Sequence, residues 1–461
     1  MTIKDLGADR ERFKVRLVIQ GHNDKLKRFL VHCSSSAQHM SIRLLLVIAC
    51  SKGWKIRTRD VDQAYLKSTF PYPRDVFVKP TQDMHDFLDE HPGEDFLLKM
   101  ALPVYGNADA GDYWHATMSQ YHRTALKITP SAFDPSLYKA DGDAQGMVAT
   151  TVDDSIITGN AQFLSKEEMK SGIFKNKGKI EGKFTFSGLN IDQKNMHITV
   201  SQPDHIQKLT EISPSAIDPF RELKSRVGQL LFINRSEPKS SYHTSKLAQI
   251  TRALMNKRVT NLCNEIIRNL KAKNPRGIRF AALDLDSLGI DILTDSSLAN
   301  NLDLSTQLGI IAVLRDKFRV ANIVHWRSWK SRRIARSSLG AEAVAFSDGV
   351  DLGFILCHEL EWLLGHGVPL DIYTDSQRLF NLITTLTVPT EKRVAIDIAG
   401  ARNAYQNNEV RNIGLIASED NPADAATKDA TNKVLNNLLE NNKLEFKVRN
   451  WVFHNEGDKN F

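Results

Sequence analysis

The chain has 461 residues, of which 41% are hydrophobic and 25% are charged, and its formal net charge is +7 at pH 7. This length and composition exclude a disordered chain and predict a globular protein of roughly two to four domains. The basic balance favours polyanionic partners. Four scattered cysteines without a CxxC pair argue against a zinc site or a disulfide framework, and the longest apolar run, Leu44–Cys50, is too short to cross a membrane. We therefore expect an intracellular, cytoplasmic protein without a membrane partner.

The first two hundred residues alternate strand-like and helical segments. Apolar and polar residues alternate over 12–22 and over 55–66, which predicts two strands, the second running into a turn. Between them, residues 41–54 are apolar enough for a buried helix. Two hairpins are predicted further on, over residues 141–159 and 183–202.

The second half contains a helical stretch and then a new alternation of strands and helices. Residues 218–275 are predicted to be helical, with Pro238 as an interruption. A strand over 286–297, a long helix over 338–366 and a strand–helix pair over 369–386 follow. This alternation predicts an α/β domain with its own core.

Three carboxylates in the first half are notable for where they fall on these elements. Asp60 lies at the end of the strand over 55–66, and Asp153 and Asp154 lie together at the tip of the first hairpin. An exposed turn or a turn cap is one interpretation of each acid. The other is a site for two divalent metal ions, because carboxylates at strand ends can converge on one face of a sheet, as phosphoryl transfer requires.

Six segments resemble, in order and spacing, motifs of copia-type retrotransposon reverse transcriptases. RDVDQAYL resembles the first catalytic motif, DVxxAxL, and TVDDSII is similar to the second, which ends in the acidic pair. The other four segments resemble the fingers strand, the segment between the catalytic motifs, the hairpin after the palm and the YRxxVGSLLYL segment. They are RFKVRLVIQGH, LPVYGNADAGDYW, FSGLNIDQKNMHITVSQPDHIQKL and KSRVGQLLFINRSEP.

The resemblance implies roles for residues of the first half. At the polymerase site, two Mg²⁺ or Mn²⁺ ions would be held by Asp60, Asp153 and Asp154. Lys14 and Arg16 alternate onto one face of the fingers strand and would meet the nucleotide triphosphate. Tyr65 would be the gate that excludes a ribose 2′-hydroxyl. From the residues alone, a solvated strand face and an ordinary core tyrosine remain open as alternatives.

Four segments of the second half resemble the carboxylate motifs of ribonuclease H. They are LTDSSLANN, SSLGAEAVAFSD, IYTDSQRLF and EDNPADAATK. The resemblance implies a second site for two metal ions, with the ligands Asp295, Glu342, Asp375 and Asp424. Asp424 follows Asn421-Pro422, a pair typical of a helix start, so we expect it in a first turn. Taken singly, each acid could equally be a solvated or capping residue.

Several positions depart from the family's motifs. Thr151 stands where an aromatic residue usually precedes the acidic pair, and Asp109 stands where Gln is usual. Ala299-Asn300 follows the first ribonuclease H acid in a place where Trp-Ala-Gly is common. Met1 falls just before the fingers strand, so we expect an N-terminally truncated or excerpted chain.

One basic run is a candidate nucleic-acid track. WRSWKSRRIARSS, over 326–338, mixes Arg and Lys with Trp326 and Trp329. Such a mixture suits contact with a nucleic-acid backbone. A basic hairpin on the surface of the ribonuclease H domain is the alternative.

These observations predict an α/β protein, with an α+β palm, built as a right-hand polymerase followed by a ribonuclease H-like domain. We expect fingers and palm over 1–210, a helical thumb or connection over 211–284, the ribonuclease H-like domain over 285–430 and a C-terminal tail over 431–461.

The resemblance implies an RNA-directed DNA polymerase, a nucleotidyltransferase, that also acts as an endonuclease on the RNA strand of RNA–DNA hybrids. Its partners would be an RNA template, a DNA primer, the hybrid and deoxynucleoside triphosphates. The alternatives are a catalytically inactive, truncated relic and a module that only binds nucleic acid. The retained carboxylates argue against both, since nothing structural requires these acids together.

Overall fold

The computed structural model of the protein contains two six-stranded sheets, and the predicted site residues Asp60, Asp154 and Asp295 lie on their strands. The structure describes residues 2–5, 13–16, 18–30, 36–72, 74–82, 84, 96–174, 176–272, 277–385, 387–389 and 391–453. For 2–5, 13–16, 177 and 453 the description covers the backbone only.

The elements of the first half are short, apart from one buried helix. In chain order they are β1 (Thr2–Asp5), β2 (Phe13–Arg16), α1 (His39–Ser51), β3 (Lys55–Val61), β4 (Phe77–Val78), β5 (Leu98–Lys99), α2 (Ala110–Tyr121), β6 (Thr129–Pro130), β7 (Leu137–Ala140), β8 (Gly146–Thr151), β9 (Asp154–Gly159), α3 (Ala161–Lys170), β10 (Asn176–Glu181), β11 (Lys183–Phe186), β12 (Leu189–Lys194), β13 (His197–Ser201) and α4 (Pro203–Lys208).

The second half has longer elements. They are α5 (Pro219–Ile233), α6 (Ser241–Ala248), α7 (Lys257–Ala272), β14 (Ile278–Ala281), β15 (Gly289–Ser297), β16 (Gln307–Arg315), β17 (Ala321–Lys330), α8 (Ser338–Leu364), β18 (Leu370–Thr374), α9 (Gln377–Thr384), α10 (Lys392–Gln406), β19 (Asn412–Ile416), α11 (Lys433–Asn441) and β20 (Val448–Phe453).

The first compact unit comprises Met1–Gln38 and Arg57–Ile180. Its six-stranded sheet has the order β10-β3-β9-β8-β7-β6, with antiparallel pairing from β9 to β6. The helix α3 packs on this sheet through Phe163, which belongs to a buried cluster with Tyr138, Val148 and Ile157. Strands from hairpins, covered by helices, give the α+β arrangement expected of a palm.

The second compact unit comprises His39–Ile56 and Glu181–Phe461. Its helix α1 contains the run LLLVIAC and is buried from Met40 to Cys50, as expected for a helix that is apolar on all sides. This helix packs against β13, β14 and β17. The predicted hairpin over 183–202 is a meander of β11, β12 and β13, and β14 extends it to four strands.

The predicted helical stretch is divided into three helices. A buried cluster joins α5, α6 and α7 through residues such as Leu230, Leu247 and Ile267. The helix α5 ends at Ile233, and a turn followed by a single turn of 3-10 helix at Pro238–Ser240 separates it from α6.

The second six-stranded sheet belongs to the same unit and has the order β17-β16-β15-β18-β19-β20. The strands β15, β18 and β19 pair in parallel, while β16, β17 and β20 are antiparallel to their neighbours. The helix α8 packs against β15 and β18, and α10 packs against α8. The predicted α/β class of this half is confirmed.

The compact units divide the chain differently from the predicted domains. Residues 39–56 and 181–284 lie in one unit with the second six-stranded sheet, and the predicted tail over 431–461 contains α11 and β20. The strand β20 pairs with β19, and Trp451 packs 5.3 Å from the ring of Tyr373. Pairing of this strand satisfies backbone groups that would otherwise form an open sheet edge.

No helix among the described residues is both long enough and apolar enough to span a membrane.

An ion-pair network in the first unit accounts for one departure from the family's motifs. Asp109 is 5% exposed and stands just before α2. Tyr72 donates a hydrogen bond to its Oδ1 at 2.7 Å, and Arg74 lies 3.1 Å from its Oδ2 and 2.8 Å from Asp24. Burial first, and the hydrogen bond to Asp109 second, raise the pKa of Tyr72 to about 12. The carboxylate at 109 is therefore matched by a cation.

We expect Asp109→Gln, which restores the amide usual in the family, to destabilise the first unit. Arg74 would lose a buried counter-ion but keep its ion pair with Asp24, so we expect the free energy of unfolding to fall by about 2 kcal/mol. Scanning calorimetry would measure the shift of that unit's transition. Asp75→Asn removes an exposed ion pair with Lys99 and should cost less than about 1 kcal/mol. Equal stability of the two variants would contradict the expectation.

Candidate functional site

The three acids predicted for the polymerase site lie on adjacent strands of the first sheet. Asp60 is the penultimate residue of β3, Asp154 is the first residue of β9, and Asp153 lies in the turn between β8 and β9. The amide of Val61 donates a hydrogen bond to the carbonyl of Asp153 at 2.9 Å. All three acids are partly exposed, as a site that receives a substrate requires.

The turn that carries Asp153 has an unusual backbone. Thr151 pairs with Asp154, which leaves a two-residue turn, and Val152 in that turn has a φ of 50°. A β-branched residue rarely adopts this left-handed conformation, and doing so costs on the order of 1–3 kcal/mol. The indole of Trp114 donates a hydrogen bond to the Val152 carbonyl at 2.5 Å, and both side chains pack in one apolar cluster. These contacts fix the direction of the acidic pair.

The carboxylates predicted for the polymerase site do not lie as close together as the ligands of a bound metal ion. Among the described residues, one group of three acids has ligand atoms that all lie within 4.8 Å of one another, and it does not include Asp60, Asp153 or Asp154. Like charges on adjacent strands repel each other, and a bound cation would reverse that repulsion. The structure thus brings these three acids to one end of neighbouring strands without closing them into a ligand set.

Tyr65 lies beside these acids. It belongs to a 3-10 turn at Ala64–Lys67, is half-buried, and its ring centroid lies 4.9 Å from that of Tyr105. Burial first and the charge of Asp153 second raise the pKa of Tyr65. The prediction that Lys14 and Arg16 meet a triphosphate falls partly outside the described residues, because only their backbone, in β2, is described.

The four acids predicted for the ribonuclease site come from four different elements of the second unit. Asp295 lies on β15, Glu342 lies in the second turn of α8, and Asp375 directly follows β18. Asp424 lies in a turn of 3-10 helix at Pro422–Ala426, which Asn421 caps. The parallel strands β15 and β18 are neighbours, so their carboxyl ends bring Asp295 and Asp375 to one edge of the sheet.

These acids form a compact cluster. The carboxylate oxygens of Asp295, Asp375 and Asp424 are the ligand atoms that lie within 4.8 Å of one another. Glu342 adjoins them: Ser296 donates a hydrogen bond to its Oε1 at 2.7 Å. Its other oxygen, Oε2, is buried and has no hydrogen-bond partner among the described residues.

Burial and mutual repulsion set the protonation of the cluster. Burial first, then the charges of Glu342 and Asp424, raise the pKa of Asp295, which is 1% exposed, well above its ordinary value. Burial and the charge of Asp375 raise the pKa of Glu342 to about 8. Burial raises the pKa of Asp375 as well. Such shifts at several adjacent groups are characteristic of functional sites.

Close packing and one amide position the acids. The helix α8 approaches the sheet at two glycines, since a Cβ on Gly349 would lie 2.7 Å from Thr294 and one on Gly353 would lie 2.6 Å from Leu370. Asn421 donates a hydrogen bond from Nδ2 to the carbonyl of Thr294 at 2.9 Å. This bond ties the turn of Asp424 to the residue before Asp295.

This cluster of acids fits divalent metal ions. Its donors are carboxylate oxygens, which Mg²⁺ and Mn²⁺ prefer, and the unpartnered Oε2 of Glu342 offers a further ligand atom. The residues that would hold the ions are Asp295, Glu342, Asp375 and Asp424.

Two residues of this site were missed in the sequence. Thr427 donates a hydrogen bond to Asp295 Oδ2, and Lys428 Nζ lies 2.8 Å from Asp424 Oδ1. The spacing of four residues between Asp424 and Lys428 is a helical ion-pair signal that was available in EDNPADAATK.

The two tryptophans of the basic run over 326–338 pack against other residues of the second unit. Trp326 is 8% exposed and lies under the guanidinium of Arg43, 3.7 Å from its ring centroid. Trp329 packs against the buried cluster that contains Leu308 and Val344. Both rings are therefore packed against other side chains, and the nucleic-acid track over this run stays a prediction.

The fold and the site together define a class. The second unit contains a mixed sheet whose central strands are parallel. Its acids lie on the first strand of that sheet, on the long helix, directly after the next parallel strand and in a late turn. This arrangement defines a ribonuclease H-like domain. It follows a chain segment with a hairpin-borne acidic pair on an α+β sheet.

Comparison with known proteins identifies that segment. Residues 1–213 match the family described as reverse transcriptase (RNA-dependent DNA polymerase). The chain is 25% identical over 458 residues to the retrovirus-related Pol polyprotein from transposon RE2 of Arabidopsis thaliana, covering 93% of this chain. It is 24% identical over 466 residues to the corresponding polyprotein from transposon RE1, again covering 93% of this chain. The resemblance to copia-type retrotransposon reverse transcriptases is confirmed.

The chain is only part of the length of these relatives, spanning 30% of each. Among solved structures, the foamy viral protease-reverse transcriptase in complex with an RNA/DNA hybrid matches with a TM-score of 0.48 and 14% sequence identity. That match covers 87% of this chain and 48% of the viral chain.

We expect Glu342→Gln to stabilise the protein when divalent ions are removed with EDTA. Folded Glu342 keeps a proton up to a pH of about 8, whereas the unfolded residue releases it near its ordinary pKa of 4.5, so wild-type stability falls as pH rises through this window. The amide does not titrate and can still accept the hydrogen bond of Ser296. The gain should therefore grow from pH 5 to pH 8 and reach about 1–2 kcal/mol.

Thermal unfolding at a series of pH values would measure this gain. Glu361→Gln is the matched control, because Glu361 is an exposed residue of the same helix. A gain that is absent, or that does not change with pH, would show that the acid cluster does not strain the folded state.

Proposed function

We propose that this chain is an RNA-directed DNA polymerase that also hydrolyses the RNA strand of RNA–DNA hybrids, as part of a copia-type retrotransposon Pol protein. The observation that carries the proposal is the cluster of Asp295, Asp375 and Asp424, with Glu342 beside it, on a ribonuclease H-like sheet in the same chain as a reverse transcriptase domain. Its partners would be an RNA template, a DNA primer, the hybrid and deoxynucleoside triphosphates.

The nuclease half follows from the chemistry of the second site. Two Mg²⁺ or Mn²⁺ ions, when bound, would supply a Lewis acid and an activated water for hydrolysis of a phosphodiester. Asp295, Asp375 and Asp424 would hold the ions. The hydrogen bond from Ser296 orients Glu342, and its Oε2 would be a further ligand to these ions.

The polymerase half rests on the first unit. Asp60, Asp153 and Asp154 would hold the ions that bind the triphosphate and the primer end, with the strained turn at Val152 directing the acidic pair. Tyr65 would lie beside the sugar of the incoming nucleotide, and its position near Asp153 and Tyr105 supports that role. We extend the same proposal to Lys14 and Arg16 as contacts of the triphosphate.

The net charge of +7 supports a polyanionic substrate. Contact with the hybrid would be made mainly through its backbone and 2′-hydroxyls, as is general for such duplexes. We also propose an intracellular, cytoplasmic location, consistent with Cys50, Cys263 and Cys357 being free thiols.

A module that only binds nucleic acid, or an inactive relic, is not favoured. Repulsion among buried carboxylates destabilises a folded protein, and binding to a polyanion is opposed by such a cluster. Retention of the acids is explained by catalysis.

The proposal predicts that the two activities can be separated. Asp375→Asn should reduce cleavage of RNA in a hybrid by orders of magnitude, because the ribonuclease site loses a charged ligand, while extension of a primer on a short template persists. Asp153→Asn should abolish primer extension and leave cleavage largely intact. Each variant is the control for the other.

Both activities would be assayed on one labelled hybrid at saturating Mg²⁺. Full cleavage by the Asp375→Asn variant would reject its role as a ligand. Equal loss of both activities in a variant that keeps its fold would reject two independent sites.

Tyr65→Ala should increase the use of ribonucleotides relative to deoxynucleotides, since removal of the ring opens space for a 2′-hydroxyl. The quantity to measure is the ratio of kcat/KM for single insertion of the two nucleotides. Tyr65→Phe keeps the bulk of the ring and should leave the ratio unchanged. If the alanine variant is active and its ratio equals that of the wild type, Tyr65 is a core residue.

A further inference from the structure

A lysine side chain lies among the acids of the ribonuclease cluster. Lys428 follows Asp424 by four residues, and its Nζ lies 2.8 Å from Asp424 Oδ1 and 3.6 Å from Asp295 Oδ2. Its backbone amide donates to the Asp424 carbonyl at 2.8 Å, which anchors its Cα to the turn that carries that acid. The ammonium therefore contacts two of the three acids that are within 4.8 Å of one another.

Electrostatics accounts for the position of this side chain. Burial lowers the pKa of Lys428, but the charges of Asp295 and Asp424 more than offset burial, so its pKa is above the ordinary value. Among the described residues, Lys428 is the cation that forms ion pairs with these two acids. It supplies a positive charge where the cluster would otherwise hold carboxylates alone.

At the opposite ends of the same two strands, buried acids are paired with arginines that hold them by several hydrogen bonds. There, Asp291 on β15 and Asp371 on β18 are buried, and Arg315 bridges them at 2.5 Å and 2.6 Å. Arg411 adds a second guanidinium, with Nε 2.9 Å from Asp371. Planar forks that donate several hydrogen bonds at once hold these carboxylates.

The lysine end differs in ways that favour exchange. The Lys428 side chain is 43% exposed, close to the 45% of Arg411 at the other end, but it holds each acid by a single nitrogen. An ammonium on a flexible four-carbon stem can leave for solvent without disturbing the backbone. The exposed stem gives it a path out of the cluster.

We propose that the Lys428 ammonium is a displaceable counter-ion that occupies a cation position of the ribonuclease site and must move out when divalent ions bind there. This inference rests on the proposed function of that site and deepens it. The lysine keeps the metal-free cluster folded by balancing its charge, and it lowers the affinity for divalent ions, because their binding has to break its ion pairs with Asp295 and Asp424.

Removal of the charge should therefore have two opposite effects. In Lys428→Met, which keeps the length of the side chain, the metal-free protein should melt at a lower temperature than the wild type. Its affinity for Mn²⁺ should rise by about tenfold or more, because a competing positive charge is gone. A purely structural lysine would give the first effect without the second.

The experiment is a titration of the full chain with Mn²⁺ alone. Calorimetry measures the affinity for Mn²⁺, and thermal unfolding measures the melting temperature. All variants carry Asp153→Asn, so that the polymerase acids contribute less to the signal. Lys428→Arg keeps the charge and should bind Mn²⁺ no more tightly than the wild type. Lys433→Met removes an exposed charge five residues later and should change neither quantity.

The outcomes separate this inference from the proposed function. The metal site stands if the Asp153→Asn protein binds Mn²⁺ and the further change Asp375→Asn abolishes this binding. In that case, an Mn²⁺ affinity of the Lys428→Met variant equal to that of the Asp153→Asn protein would overturn only the role of the lysine. If no Mn²⁺ binding depends on Asp375, the metal site and this inference both fail. Should Lys428→Met fail to fold, Lys428→Gln gives the same test with a side chain that can still donate a hydrogen bond.

Discussion

Repulsion among carboxylates at the carboxyl ends of β15 and β18 is the constraint around which the second unit is built. Asp295 and Asp375 come to the same edge because the two strands are parallel neighbours, and the late turn adds Asp424. The glycine-lined approach of α8 and the Asn421 bond to Thr294 hold the acids in place against this repulsion. Lys428 and the protonation of Glu342 then relieve it in the absence of metal ions.

Elements with a strong local pattern could be predicted from the sequence, and elements defined by pairing could not. The apolar run of α1, the acidic hairpin and the long helix α8 all lie close to where the sequence predicts them. Nothing local, however, indicates that α1 packs with β13 and β17 in one compact unit, since those contacts join residues far apart in the chain. The strand β20 was predicted as a tail for the same reason, because its partner β19 alone makes it a strand.

The same distinction applies to the sites. The four acids that the motifs predict for the ribonuclease site lie on the expected elements, and the structure gathers the carboxylates of Asp295, Asp375 and Asp424. Lys428 was not identified, because a lysine four residues after an aspartate is usually an exposed helical pair, and its role depends on Asp295 arriving from a distant strand. The basic run shows the converse. Its composition suits contact with nucleic acid, but Trp326 points inward from β17 and packs against Arg43. No local sequence pattern reveals this contact.

The pairing of β20 with β19 has a consequence for any shortened form of the protein. A chain that stops after the last acid-bearing turn would retain every predicted catalytic carboxylate yet leave β19 with a row of unpaired backbone amides and carbonyls. Such an edge, with the ring of Tyr373 no longer covered by Phe446 and Trp451, is a template for pairing with other chains. Self-association of that shortened chain would then be mistaken for a property of the intact protein.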